Sequence, residues 1–311
     1  MMTGFVTLNP FSPQAAAISH LFVAILIILG AIFALVAGLV IVAIVRYRDR
    51  PDGPEAKQVF GSMRLEIAWT IAPILLLVLI GFFMVEAIDA SDPAVSDQQP
   101  DIRVTGHQWW WEVEYPKSGA ITANEIHIPV GKSLLVEVDA ADVIHDFWVP
   151  ELARKVDAIP GHINHVWIRA DQPRVYQGVC AEFCGSEHTW MRMIVVAEPQ
   201  ADFDAWQTAQ LTTRAAPTDG AAAQGLQLVK DETCLNCHAI SGLPGKKSIG
   251  PDLTHIASRR IIAAGAIENS PENLFKWLKD PDSIKPESHM PNFQLSDDRV
   301  NSLVAYMETL K

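Results

Sequence analysis

The 311-residue chain carries a formal net charge of -12, an apolar share of 49% and four cysteines. Its length leaves room for two or three domains. Its acidity excludes a basic nucleic-acid-binding face and fits solubility or a basic protein partner.

Residues 1–18 form an uncharged lead-in that contains Pro10 and Pro13. Leu21 to Val45 then runs for about 25 residues without a charge, more than the roughly 20 that span a bilayer. Ile67 to Val85 adds about 19 uncharged residues, bracketed by Glu66 and Glu86, which is within the spanning range. Residues 1–89 therefore read as a transmembrane helical hairpin with spans at about 19–45 and 67–88. Arg46, Arg48, Arg50, Lys57 and Arg64 lie between the spans. No Lys or Arg precedes the first span, and Asp89, Asp92 and Asp97 follow the second. The positive-inside rule places the short loop in the cytoplasm and both chain ends outside. The first segment lacks a basic n-region and is too long for an h-region, so it reads as a span and not as a signal peptide.

Ala90 to Pro100 is an acidic connector. From Asp101 the pattern changes to short runs rich in Val, Ile and aromatics. These are Ile102–Thr105, Trp109–Tyr115, Ile126–Ile128, Ser133–Val138, Phe147–Val149, His165–Arg169, Arg174–Gly178 and Met193–Val196, separated by turn residues. Strands at this spacing predict a β-sandwich or Greek-key barrel over 101–198. In a strand, Trp109 and Trp111 would share one face and Trp110 the other. Residues 199–223 read as a short helix at Ala201–Leu211 and a linker at Thr212–Ala223. Residues 224–311 form a small α-helical domain. Ser270 and Pro271 open one of its helices, and Ser296 opens another. Val300, Leu303, Tyr306, Met307 and Leu310 mark an apolar face on that last helix.

Two motifs use all four cysteines. The first is Cys180-Ala-Glu-Phe-Cys184-Gly-Ser-Glu-His188-Thr-Trp-Met191. Thiolate, thioether and imidazole are ligands that suit copper. One loop can present Cys180, Cys184, His188 and Met191 to a single point, and His145, at a turn that opens a strand, is the best remote partner. Two bridging thiolates would let two copper ions share one electron. A disulfide, or a thiol-based copper-delivery or redox role, is the competing reading of Cys180 and Cys184. His107, His127, His162 and His165 read as surface or hydrogen-bonding residues.

The second motif, Cys234-Leu-Asn-Cys237-His238, is the pattern of covalent c-type haem attachment, with His238 as the proximal iron ligand. Zinc would need a second Cys or His pair at short spacing, and there is none. Met290, in Ser288-His-Met290-Pro, is preferred as the sixth ligand over His255 and His289. Attachment of c-type haem takes place outside the cytoplasm in bacteria.

Residues 19–198 resemble subunit II of the haem–copper cytochrome c oxidases. The resemblance rests on the two spans, Gly106-His-Gln-Trp-Trp-Trp-Glu, Asp142-Val-Ile-His145, Asp157-Ala-Ile-Pro-Gly161 and the Cys180–Met191 loop. It implies a cupredoxin-like barrel that holds the dinuclear copper centre called CuA. Cys180 and Cys184 would bridge both coppers. His145 and Met191 would ligate one copper, and His188 with the Glu182 carbonyl the other. The Glu182 carboxylate would serve a magnesium site shared with subunit I. Quinol-oxidising relatives lack these ligands, so the resemblance implies a cytochrome c donor. It aligns Trp109 with a surface tryptophan that accepts electrons from docked cytochrome c. It aligns Glu66 with a glutamate at the mouth of a proton-uptake path into subunit I.

Residues 220–311 resemble class I cytochrome c, through Cys234–His238, Gly250-Pro251-Asp-Leu253 and Lys285–Phe293. Fusion of such a domain to subunit II is a known bacterial variety of oxidase. The expected whole is a two-span subunit of the bacterial plasma membrane with both redox domains on the periplasmic side. It would lie in lipid beside subunit I and other oxidase subunits. Electrons would pass from a cytochrome c or an upstream respiratory complex to haem, then to CuA, then to the oxygen-reducing centre of subunit I, with proton pumping. The alternatives are a CuA-bearing subunit of a nitric oxide reductase and a copper-delivery or thiol-redox protein.

Overall fold

The computed structural model describes residues 8–48, 58–92, 98–213, 215–245 and 249–311. Arg50, Lys57 and Asp97 of the expected charge pattern lie outside the described residues, as do parts of the connector and of the linker. The described residues fall into two units, one within 16–93 and one formed by the remainder.

The first unit consists of two long helices, α1 (Pro13–Arg46) and α2 (Met63–Ser91). Leu, Ile, Val, Ala and Phe surround both axes, and the side chains are exposed, with Phe33 at 75% and Phe82 at 66%. A helix that is apolar on every side and still exposed to solvent needs lipid around it. Glu66 lies in the first turn of α2, where a carboxylate meets the positive end of the helix dipole. Its side chain folds back over Gly61, which has φ +115°, and a Cβ there would come within 2.8 Å of the carboxylate.

The second unit contains a β-domain of two five-stranded sheets. Its strands are β1 (Ile102–His107), β2 (Trp110–Tyr115), β3 (Ala120–Ala123), β4 (Glu125–Pro129), β5 (Leu134–Ala140), β6 (His145–Trp148), β7 (Val156–Ala158), β8 (Asn164–Ile168), β9 (Arg174–Cys180) and β10 (Arg192–Glu198). One sheet has the order β3-β2-β1-β5-β8 and the other β4-β10-β9-β6-β7. The pairs β1/β5 and β4/β10 are parallel, and the others are antiparallel. This is the cupredoxin-like Greek-key arrangement. Alternation fills the space between the sheets, as in β1, where Ile102 and Val104 point inward and Arg103 and Thr105 outward. Trp111, Tyr115, Ile126, Val136, Phe147, Tyr176 and Met193 form the centre of the core.

β3 and β7 are two strands that the apolar runs do not reveal, because Ala120–Ala123 and Val156–Ala158 are too short to show a period. The strand expected to open at Trp109 opens one residue later. β2 begins at Trp110, so Trp109 occupies the turn after β1, yet Trp109 and Trp111 share the central core cluster and Trp110 packs in a separate one, as the alternation predicts. All three tryptophans are buried.

Helix α3 (Gln200–Gln210) follows, and its Trp206 stacks on His127. The C-terminal domain then contains α4 (Gly220–Asp231), α5 (Cys234–Cys237), α6 (Pro271–Lys279), α7 (Pro281–Ile284) and α8 (Asp297–Met307). A small hairpin, β11 (Ile261–Ile262) and β12 (Ile267–Glu268), precedes α6. Ser270 caps α6 by accepting a hydrogen bond from the Asn273 amide, with Pro271 next in line, as the sequence predicts. The expected apolar face of α8 is buried against α4 and α6. Gly225 permits the close crossing of α4 and α8, because a Cβ there would lie 2.0 Å from the Ser302 carbonyl oxygen.

The C-terminal domain packs onto the β-domain. Glu125 accepts hydrogen bonds from the backbone amides of Arg260 and Ile261, the latter at 2.9 Å. Trp110 Nε1 donates to the Ile249 carbonyl at 3.1 Å, and Ala264 packs on the same indole. Ile261 packs on Ile194 and Val196 of β10.

Candidate metal centres

The segment after β9 turns back through Gly185 and a 3-10 turn at His188–Trp190 before β10 begins. This fold-back brings the sulfur and nitrogen donors to one place. Cys180 Sγ lies 3.7 Å from Cys184 Sγ. Cys184 Sγ lies 3.6 Å from His188 Nδ1 and 3.8 Å from Met191 Sδ. His145 enters from β6 with its Nδ1 at 3.9 Å from Cys180 Sγ, and the Glu182 carbonyl oxygen lies 3.2 Å from the same sulfur. His145, Cys180, Cys184 and Met191 are buried, whereas the Glu182 side chain is exposed.

The surroundings fix these donors. Asp142 Oδ1 lies 2.8 Å from His145 Nε2, which leaves Nδ1 facing the sulfurs. Asp142 also accepts hydrogen bonds from the Gln108 and Val143 amides. Gly106 makes room for the His145 ring, since a Cβ there would lie 2.7 Å from Cδ2. Burial opposes charge on His145, but its hydrogen bonds to Cys180 and Asp142 outweigh this and raise its pKa. A hydrogen bond from Cys184, against the cost of burial, draws the Cys180 thiol far below its ordinary range, and Cys184 keeps the shared proton and moves up. One thiol of the pair is thus ready to ionise, as metal binding demands. Soft sulfurs and imidazoles converging on one largely buried point fit copper.

The second centre lies in the C-terminal domain. One turn of helix separates Cys234 from Cys237, and His238 follows directly. The Pro251 carbonyl oxygen lies 2.8 Å from His238 Nδ1, so Nε2 remains for a metal. Burial holds the ring neutral by lowering its pKa. Gly250 packs flat on the imidazole, where a Cβ would come within 2.5 Å of Cε1. This donor set fits a c-type haem. Met290 is half-buried in the segment between α7 and α8. His255 is tied to the Lys311 carbonyl at 2.9 Å, and the His289 ring rests 4.5 Å from the Trp109 ring.

Comparison with known proteins agrees with both centres. Residues 4–86 match the family described as cytochrome c oxidase subunit II, transmembrane domain, residues 120–198 match its periplasmic domain, and residues 222–311 match cytochrome c. The chain is 38% identical to cytochrome c oxidase subunit 2 of Alkalihalophilus pseudofirmus, over 98% of this chain and 90% of the relative. This chain belongs to the cytochrome c oxidase subunit II family. A subunit 2 from a Bacillus species is 33% identical over 86% of this chain and 80% of its own. The periplasmic domain of subunit II from Bradyrhizobium japonicum covers 38% of this chain and 96% of its own, at 31% identity and a TM-score of 0.36. As a subunit II with a cytochrome c domain, the chain is a membrane-anchored part of an oxidoreductase. Its family implies CuA copper in one domain and haem in the other.

Trp109 requires a correction. The family resemblance makes it a surface residue open to a docked donor, but it is only 6% exposed. The C-terminal domain covers it, through His289 on its ring and Lys285, whose Nζ donates to the Trp109 carbonyl at 3.0 Å. Nothing in the sequence marks a role for Lys285 or Glu187. Their ion pair, at 2.8 Å, joins residues about 98 positions apart, and no local signal marks it. Burial lowers the Lys285 pKa and raises that of Glu187, while each charge opposes the shift of the other. Asp142 was legible, three residues before the predicted ligand His145.

Proposed function

We propose that this chain is where electrons enter a proton-pumping terminal oxidase that takes them from a cytochrome c or an upstream respiratory complex. The observation that carries this reading is the convergence of Cys180, Cys184, His145, His188 and Met191 in the same compact unit as Cys234, Cys237 and His238. Bound copper and haem would supply reversible one-electron chemistry to these residues.

Each residue has a definite task. Cys180, Cys184, His145, His188, Met191 and the Glu182 carbonyl would together hold the copper. Asp142 orients His145. The exposed Glu182 carboxylate is free to take part in a magnesium site shared with subunit I. Cys234 and Cys237 would attach haem covalently, and His238 and Met290 would hold its iron. The engagement of His255 with Lys311 and of His289 with Trp109 supports Met290. Trp109 receives electrons, and its burial supports the fused domain as its donor.

Arg46, Arg48 and Arg64 beside the ends of α1 and α2 support a cytoplasmic loop, with both termini and both redox domains outside. Glu66, at the loop end of α2, then stands at the entrance of a proton path into subunit I. Copper and iron analysis of the purified oxidase, its near-infrared absorption and its turnover test the reading. A mixed-valence copper band, haem c and oxygen consumption are expected. Absence of the band, or turnover on nitric oxide instead of oxygen, would overturn it.

A further inference from the structure

Residues 285–290 meet the copper loop in a way that the copper ligands do not explain. Lys285 follows α7, and its Nζ lies 2.8 Å from Glu187 Oε2 and 3.0 Å from the Trp109 carbonyl oxygen. The two side chains are 6% and 1% exposed. Glu187 directly precedes His188. Removing a lysine and a glutamate from water is unfavourable, and an apolar contact would hold two domains together as well or better. Such a pair contributes register, because one arrangement satisfies both charges and every other leaves one buried and unpaired.

That register governs a second contact. Four residues beyond Lys285, the His289 ring lies 4.5 Å from the Trp109 ring at a tilt of 49°. Trp109 Nε1 in turn donates to the Cys184 carbonyl at 3.0 Å. Met290 is bonded directly to His289. The haem-ligand segment is thereby connected to the copper loop by one peptide linkage, one ring contact and one hydrogen bond.

We propose that Lys285 is a positioning residue for electron transfer between the two domains, which seats His289 on Trp109 by holding both Glu187 and the Trp109 carbonyl. This rests on the reading of 180–191 as the copper loop and 234–238 as the haem site. With haem and copper bound, one electron would cross, the iron held at His238 being oxidised as the copper held at Cys180 and Cys184 is reduced. Transfer through a ring contact weakens steeply as the gap opens, so the lysine acts through geometry without carrying the electron.

The test uses the intact oxidase. Lys285→Met leaves Glu187 unpaired and should slow transfer from photoreduced haem to copper by roughly ten- to a hundredfold, the scale set by a displacement of about 1 Å. The haem spectrum and the near-infrared copper band should not change. Hydrogen–deuterium exchange, which is independent of turnover, should rise at residues 107–111 and 285–290. The double variant K285M/E187Q has no uncompensated charge and guards against misfolding. It should keep wild-type exchange at residues 259–262, yet remain slow, because nothing holds the Trp109 carbonyl. Wild-type transfer in both variants would overturn the proposal, as would loss of copper or haem from the double variant. If the wild-type oxidase itself lacked the copper band or any haem-to-copper transfer, the functional reading beneath the proposal would fail instead.

Discussion

The indole nitrogen of Trp109 and the carbonyl oxygen of Cys184 lie 3.0 Å apart, and the Gln108 side-chain amide donates to the same oxygen at 2.7 Å. The turn between β1 and β2 thereby grips the copper loop at its second cysteine. Gly185 makes the grip possible. Its φ is +124°, and a Cβ would come within 2.9 Å of the Trp109 ring. Gly185→Ala should therefore cost about 1–3 kcal/mol through backbone strain and displace Trp109 from the loop. A lower thermal midpoint, with a perturbed copper spectrum and an unchanged haem spectrum, is expected. An unaltered copper spectrum would count against the grip.

Cys184→Ser removes a sulfur that lies within 4 Å of Cys180, His188 and Met191. The variant should bind fewer than two coppers per chain and lose the near-infrared band, while haem content stays the same. Two coppers by metal analysis, with an unchanged spectrum, would refute the bridging role.

Met290→Ala should open the sixth position of the haem. The haem should stay attached through Cys234 and Cys237, and its potential should fall, because Met/His ligation raises it. Retention of the sulfur–iron charge-transfer band and of the potential would assign the sixth position elsewhere.

Glu66→Ala should slow oxygen consumption and leave both metal spectra and haem-to-copper transfer as in the wild type. An ionisable residue at the edge of a span is a functional candidate by default. Turnover equal to wild type across the working pH range would make Glu66 a solvated boundary charge.

His127 predicts a pH dependence. Its Nδ1 lies 3.0 Å from Glu198 and its Nε2 3.6 Å from Glu125, and these carboxylates raise its pKa against the cost of burial. A raised folded-state pKa contributes stability that is complete below the unfolded value of about 6.5 and is lost as pH rises through the folded value. Glu125 also receives the Arg260 and Ile261 amides, so the loss should loosen the seam between the domains. Thermal midpoints should fall as pH rises above about 6.5, and His127→Gln should flatten that slope. The same slope in both proteins would exclude His127 as its source.

Much of the site was legible locally. Cys180, Cys184, His188 and Met191 lie within one loop, and Cys234, Cys237 and His238 within five residues, so spacing alone carries the chemistry. The spans were legible for the same reason, since continuous apolarity needs no partner to be recognised. The strands of 101–198 showed wherever an apolar run was long enough to alternate. β3 and β7 did not, and Trp109 was misplaced because a turn residue shows the same letters as a strand residue.

The sequence by itself determined the two membrane helices, the β-rich and helical domains, and the two cysteine motifs, because each is written in residue type and short-range period. Tertiary structure alone decided that Trp109 is buried beneath the C-terminal domain and that Lys285 meets Glu187. It also decided that Glu125 caps the amides of Arg260 and Ile261. The physical reason is that these contacts join residues about 98 to 176 positions apart. Their energy depends on removing water from both partners at once, and neither partner shows locally that it will be buried.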